Sequence, residues 1–346
     1  MWFALALACS SPEPVPADCP ALGVDVDLAD AASGHREQRL TYTPAWAAAR
    51  EVPLHVWYPT DATVGDPVSY LGFFDDTASL GNAPLAEPPD GCGFPLVVYS
   101  HGYQAWAGNQ TDVLRQFVRN GWVAAGPDHT DNTFADNLEP HPVGYDLTRT
   151  ADIVQAIDQL ASLPADDPLA GRIDTDRVLV LGHSYGGQTA WLLSGPTFDP
   201  VAIEANCAAG GCTDAERAAF EQPIDEPRVV AVAPLDGSAG TDLVADAGWD
   251  SRSKPVLYMT QEDEGAADQY ARAAAAGVTW VQVAGACHES FTSTDLGCAG
   301  LPKDEGLEIV AAWLLAFGAS MVREQPDFSD LLSGDVLLSE RTVVAP

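Results

Sequence analysis

Lysine is almost absent from this 346-residue chain: Lys254 and Lys303 are its two lysines, and 16 basic residues face 50 acidic ones, a formal charge of −34. A surface of that sign repels phosphate backbones and anionic lipid headgroups, which argues against nucleic acid and anionic membranes as partners. None of the seven cysteines forms a Cys-x-x-Cys pair, which excludes a zinc knuckle of that type. Beyond the N-terminus the longest apolar stretch, Ile309 to Phe317, is flanked by charges and too short to span a bilayer. Histidine is scarce, and of the seven only His288 lies beyond residue 184. Neither an internal repeat nor a second domain is visible, so residues 21–346 are expected to form one domain.

The N-terminus carries a short apolar run, Met1-Trp2-Phe3-Ala4-Leu5-Ala6-Leu7-Ala8, that ends at Cys9 and is followed by a Ser/Pro-rich segment to Pro16. This resembles a bacterial lipoprotein signal, although no basic residues precede the run and it is short. Residues 1–20 are therefore read as signal and tether, and a lipidated Cys9 is the one membrane attachment expected. Cys207 and Cys212 flank a short Ala/Gly loop, and Cys287 and Cys298 bracket the loop after His288. Short-range pairs of this kind suggest disulfides and an oxidising compartment, which leaves Cys19 and Cys92 to pair. The protein is expected to be exported (periplasmic, cell-surface or extracellular) and monomeric.

Along the chain, apolar runs alternate with helical patterns. Strands are expected at 52–58, 94–100, 122–126, 177–181, 228–233, 255–259 and 278–283, and helices at 112–120, 146–163, 265–276 and 304–322. The Asp/Pro/Gly-rich segment 59–93 reads as a long surface connection, and 196–226 as a cysteine-bearing insertion. This alternation predicts an α/β fold, a mostly parallel sheet of about eight strands with helices on both faces.

The chemistry-bearing motif is Gly182-His183-Ser184-Tyr185-Gly186, between the apolar run 177–181 and the small residues Gly187-Gln188-Thr189-Ala190. A strand that ends, turns sharply through serine and opens a helix is a nucleophile elbow, and its glycines avoid clashes in the tight turn. A serine nucleophile needs a base, an orienting carboxylate and an oxyanion hole. His288 is the one base available in the chain order Ser–acid–His. The loop Ser100-His101-Gly102-Tyr103 follows a buried-type strand, so the backbone N–H groups of Tyr103 and Tyr185 are the expected oxyanion donors. His101 reads as a structural histidine bracing that loop, and His129, in Pro127-Asp128-His129-Thr130-Asp131, as structural rather than a metal ligand. Two strand ends offer an acid: Asp236 in Leu235-Asp236-Gly237, and Asp263 in the acidic turn 262–264. A lone aspartate between a buried strand and a glycine is harder to explain as a solvated turn than the acidic cluster is.

These motifs together resemble the platelet-activating-factor acetylhydrolase and dienelactone-hydrolase-like esterases of the α/β-hydrolase superfamily. The similar pieces are Ser100-His101-Gly102-Tyr103, Gly121-Trp122-Val123-Ala124-Ala125 leading to Asp128-His129-Thr130-Asp131, the elbow, Leu235-Asp236-Gly237 and His288-Glu289-Ser290-Phe291-Thr292. The resemblance implies an acid after the sixth strand, Asp236. Likeness to the related cutinase-like polyester hydrolases implies the seventh, Asp263 or, without a gap, Glu264. The expected activity is carboxylic ester hydrolysis through an acyl-enzyme, with small or polymeric esters as substrates and no cofactor or metal. An amidase or peptidase of the same fold, or a non-catalytic surface binder, are the alternative readings.

Overall fold

The computed structural model describes residues 19–345 except 30–31, 89–91, 238–242, 263–266, 268–269, 272–277 and 295–296. Its centre is the strand Phe94–Ser100 (β5), buried at every position. Hydrogen-bonded to it in parallel are Val123–Pro127 (β6) on one side and Ile173–His183 (β7) on the other. Beyond β7 lie Val229–Leu235 (β8), Val256–Gln261 (β9) and Val278–Val283 (β10), also parallel. Their side chains alternate between two cores. Leu96 and Val98 of β5, with Val178 and Val180 of β7, face one cluster, while Val97, Tyr99, Leu179 and Leu181 face the other. A strand buried on both sides needs apolar residues at consecutive positions, which is why these read as unbroken runs.

The sheet has eleven strands, not about eight. Ser33–Tyr42 (β1), Arg50–Tyr58 (β2), Asp66–Tyr70 (β3) and Phe74–Gly81 (β4) extend it past β6 in the order β6-β2-β1-β4-β3, and Thr342–Ala345 (β11) pairs antiparallel with β10 at the opposite edge. The segment 59–93, expected as a surface connection, thus contains the hairpin β3–β4. Its polar alternation through Asp75, Asp76 and Thr77 suits a half-exposed edge and lacks the apolar run that marks a buried strand.

Helices cover both faces. Thr111–Arg119 (α1) and Lys303–Val322 (α7) pack together on one, Tyr145–Ala161 (α2) and Tyr185–Leu193 (α3) on the other. By length and composition alone α7 is apolar enough to cross a membrane. It is instead a core helix: Trp313, Leu314, Leu315 and Phe317 are buried against the sheet, each contributing roughly 1.5–3 kcal/mol. The insertion forms two short helices, Pro200–Gly210 (α4), capped by Asp199, and Asp214–Ala219 (α5), opened by a Thr213/Glu216 capping box, and a single turn, Asp246–Trp249 (α6), follows β8. The turn between them is closed by Cys207–Cys212, and disulfides also join Cys19–Cys92 and Cys287–Cys298, the three expected pairs. Cys9 and the 1–18 segment lie outside the described residues, as do nine of the twelve residues of the expected helix 265–276.

Candidate active site

Ser184 stands between β7 and α3 with φ 55° and ψ −117°, a strained backbone for a residue with a Cβ. Two glycines make the turn feasible, for different reasons. A Cβ on Gly182 would lie 1.9 Å from the Gly186 carbonyl oxygen, across the elbow. One on Gly186 would lie 1.8 Å from the Ser100 carbonyl oxygen, so this glycine admits the end of β5 against the first turn of α3. The Ser184 N–H donates to the Leu235 carbonyl (3.0 Å), fastening the elbow to the end of β8.

The loop after β5 closes on the serine from one side: a Cβ on Gly102 would be 3.3 Å from that of Ser184. On the other side Asp236 follows β8 with φ 44°, another positive value outside glycine. Its N–H donates to the Met259 carbonyl (2.8 Å), and its carboxylate accepts from the Gln261 N–H (3.1 Å) and Gln261 Nε2 (3.2 Å). The third contact of that carboxylate is His288 Nδ1, at 2.6 Å. That bond raises the His288 pKa above its ordinary 6.5, partial burial opposes it, and the aspartate charge adds to the rise. Asp263 and Glu264, the other acids considered from sequence, lie outside the described residues.

His288 opens a 3₁₀ turn, His288–Phe291, and its side chain is 43% exposed. Three groups hold that turn. Cys287–Cys298 staples its flanks. The Lys303 ammonium, on the first turn of α7, donates to the carbonyls of Glu289 (2.9 Å), Thr292 and Thr294 (2.8 Å). His183 Nε2 donates to the His288 carbonyl (2.9 Å) while its ring lies 4.5 Å from the His288 ring. Burial, then the neighbouring His288, pushes the His183 pKa down to about 3, so it stays neutral. Sequence reasoning passed over His183, although its place directly before the serine is the signal that could have found it. Among the described hydrogen bonds none joins Ser184 Oγ to His288; in unliganded sites such contacts are often long and tighten on binding.

A second Ser–His–Asp chain lies beneath the loop. Ser100 Oγ is 2.8 Å from His129 Nε2, and His129 Nδ1 is 2.8 Å from Asp152. Ser100, His129 and Asp152 are each 0% exposed, so no substrate reaches them. With both His129 ring nitrogens engaged in that chain, the Asp128–Asp131 segment has no free imidazole nitrogen for a metal. Trp106, four residues past Gly102, stacks on Phe74 at 3.9 Å, and Phe134 meets Phe74 edge-on at 5.8 Å. This aromatic shelf adjoins the Gly102 loop, since the Phe134 N–H donates to the Ala105 carbonyl.

A similar arrangement of sheet and helices is found in a solved structure, a ferulic acid esterase from Streptomyces cinnamoneus, with TM-score 0.64 and 19% identity over 92% of this chain and 97% of that one. The chain has an α/β-hydrolase fold. No protein-family model matches it, and no curated protein does. The structural likeness reaches the fold and not the acetylhydrolase-like or dienelactone-hydrolase-like group.

Proposed function

We propose that this α/β-hydrolase is a serine carboxylic ester hydrolase with Ser184 as nucleophile, His288 as base and Asp236 as the orienting acid. The observation that carries the reading is the 2.6 Å contact between His288 Nδ1 and Asp236, beside a serine held at positive φ on a strand-to-helix turn. His288 takes the Ser184 proton at Nε2, and the alkoxide attacks the ester carbonyl. The Tyr103 and Tyr185 amides hold the tetrahedral oxyanion, and the alcohol leaves with the proton from His288. Water activated by the same imidazole then frees the acid and restores the serine. Asp236 keeps the proton of the neutral ring on Nδ1 and stabilises the imidazolium.

The shelf of Phe74, Trp106 and Phe134 beside the oxyanion loop suits an ester with a large apolar or aromatic part. Three disulfides support an oxidising, exported setting. The test is a fluorophosphonate probe and p-nitrophenyl butyrate. Wild type is expected to label at Ser184 and turn over, and Ser184→Ala to lose labelling and on the order of 10³-fold or more in kcat. A Ser184→Ala protein with most of its activity would end the proposal.

A further inference from the structure

We infer that Arg149 is the positioning residue of the oxyanion hole, holding both backbone donors from beneath through His101 and Tyr185. The inference rests on the assignment of the Tyr103 and Tyr185 amides as those donors.

Arg149, on α2, is 0% exposed, and its guanidinium is divided between the two halves of the site. Towards the elbow, Nε donates to Thr189 Oγ1 (3.2 Å), and that hydroxyl donates to the Tyr185 carbonyl (3.3 Å) one helical turn earlier. The guanidinium carbon also sits 4.6 Å from the centre of the Tyr185 ring. Towards the oxyanion loop, Nη2 donates to the His101 carbonyl and to Ser100 Oγ (3.2 Å), and Nη1 to Asn132 Oδ1 (2.7 Å). An arginine can serve this many fixed acceptors because its donors form a rigid planar fork.

His101 converts that anchorage into the aim of one N–H. Its Nε2 accepts the His129 N–H (2.9 Å), so the ring proton of the neutral imidazole is on Nδ1 and donates to the Gly102 carbonyl (2.8 Å). The Ala105 N–H donates to the same oxygen (3.2 Å). That oxygen belongs to the peptide that carries the Tyr103 N–H. In a trans peptide the two groups point opposite ways, so pinning the carbonyl inward aims the N–H outward. The buried chain keeps His129 in register with a single direction of donation. Arg149 gives to Ser100 Oγ, Ser100 to His129 Nε2, and His129 Nδ1 to Asp152, which also accepts from Arg50 (3.1 Å) and Tyr42 (2.5 Å). Its members have the identity of a reacting set without solvent access, so they orient and do not react.

The experiment compares Arg149→Met and Arg149→Lys with the pair His101→Phe and His101→Asn, each checked for folding by near-UV circular dichroism. The readouts are kcat and KM on p-nitrophenyl butyrate and the affinity of a boronic acid, which forms a tetrahedral adduct with a reactive serine. Arg149→Met and His101→Phe are expected to lower kcat about 10²- to 10³-fold, the scale of losing one oxyanion donor, with KM within threefold and boronate affinity falling with kcat. Lysine has no fork and is expected to recover little. A side-chain amide in place of the imidazole can donate from near the Nδ1 position, so His101→Asn is expected to regain at least tenfold over His101→Phe. Folded variants with kcat within threefold of wild type overturn the inference, as does an equal loss in His101→Asn and His101→Phe. Ser184→Ala runs alongside: if it stays active the ester-hydrolase reading itself fails, whereas an inactive Ser184→Ala beside unaffected Arg149 and His101 variants defeats this inference alone.

Discussion

Asp236→Asn removes one charge and changes almost no volume. The hydrogen bonds around Asp236 dictate how the new amide must turn. The Gln261 backbone N–H is fixed and donates to Oδ1, so the amide oxygen takes that place and the amide nitrogen takes the place of Oδ2, 2.6 Å from His288 Nδ1 in the wild type. The Gln261 side-chain amide, whose Nε2 donates to Oδ2 (3.2 Å), turns its own oxygen to the new NH2. A donor there requires His288 Nδ1 to accept, which moves the ring proton to Nε2, where the lone pair that should receive the Ser184 proton is lost. Loss of the proper tautomer in a serine triad costs about 10⁴-fold in kcat, about 5 kcal/mol of barrier. Because the Gln261 N–H keeps its acceptor, unfolding stability should change by only about 1 kcal/mol. The assay is kcat on p-nitrophenyl butyrate beside urea unfolding.

The pH profile adds a second readout. The base must be neutral, and the aspartate holds the His288 pKa above 6.5, so the acid limb of kcat/KM is expected above pH 6.5 and should move down in the variant. A folded Asp236→Asn enzyme within tenfold of wild-type kcat would refute the reasoning. So would a collapse confined to Asp263→Asn.

Acid should unfold the protein early. Burial holds the pKa of His35 and His183 down to about 3 and those of His101 and His129 well below 6.5. Below about pH 6 the unfolded chain binds protons that the folded state refuses, and stability falls as pH falls, by about 1.4 kcal/mol per pH unit for each histidine. Four together give roughly 5.5 kcal/mol per unit. Asp146, pushed up to about 6, and Asp152, also raised, take up protons in the folded state first and offset about two of them, so roughly 3 kcal/mol per unit remains against a typical total of about 5–15. Circular dichroism should show a midpoint above pH 3, and native signal persisting to pH 3 contradicts the burial argument. Replacing Cys287 and Cys298 together by serine removes a cross-link over a short loop, worth roughly 2–3 kcal/mol. The melting temperature should drop and kcat fall several-fold through the loosened His288 turn, while unchanged kcat and stability would show that Lys303 and His183 hold the turn unaided. Trp106→Ala should raise KM for aryl or long-chain esters several-fold and leave acetate esters nearly unaffected; equal effects across a chain-length panel argue against the aromatic shelf as a subsite.

Much of the fold was legible because strands buried on both faces must be apolar at consecutive positions. Runs such as Phe94–Ser100 and Val256–Gln261 carry that mark, and the helix patterns at 112–120, 146–163 and 304–322 meet α1, α2 and α7 within two residues at each end. The strands that escaped notice, β1, β3, β4 and β11, lie towards the edges, where a polar alternating strand reads like a loop. The candidate serine and histidine were legible for another reason: the elbow demands glycines at fixed offsets, and one histidine follows it.

The aspartate proposed as the acid was legible only in part. In the sequence Asp236 and the 262–264 turn stand at neighbouring strand ends, and the buried strand and glycine that flank Asp236 favour it without deciding between them. The structure turns Asp236 towards His288 through a positive φ, a backbone bond to Met259 and two donors from Gln261, residues that meet only because β8 and β9 lie side by side. The same holds for Arg149, an unremarkable arginine in a helical pattern that reaches α3, the end of β5 and the Asn132 loop at once. Chemical identity and local turn geometry are written in short stretches of chain, because they depend on sterics between near neighbours. Which carboxylate meets the imidazole, and what steadies the two amides, depends on contacts between residues 17 to 52 positions apart, and tertiary packing alone decides those.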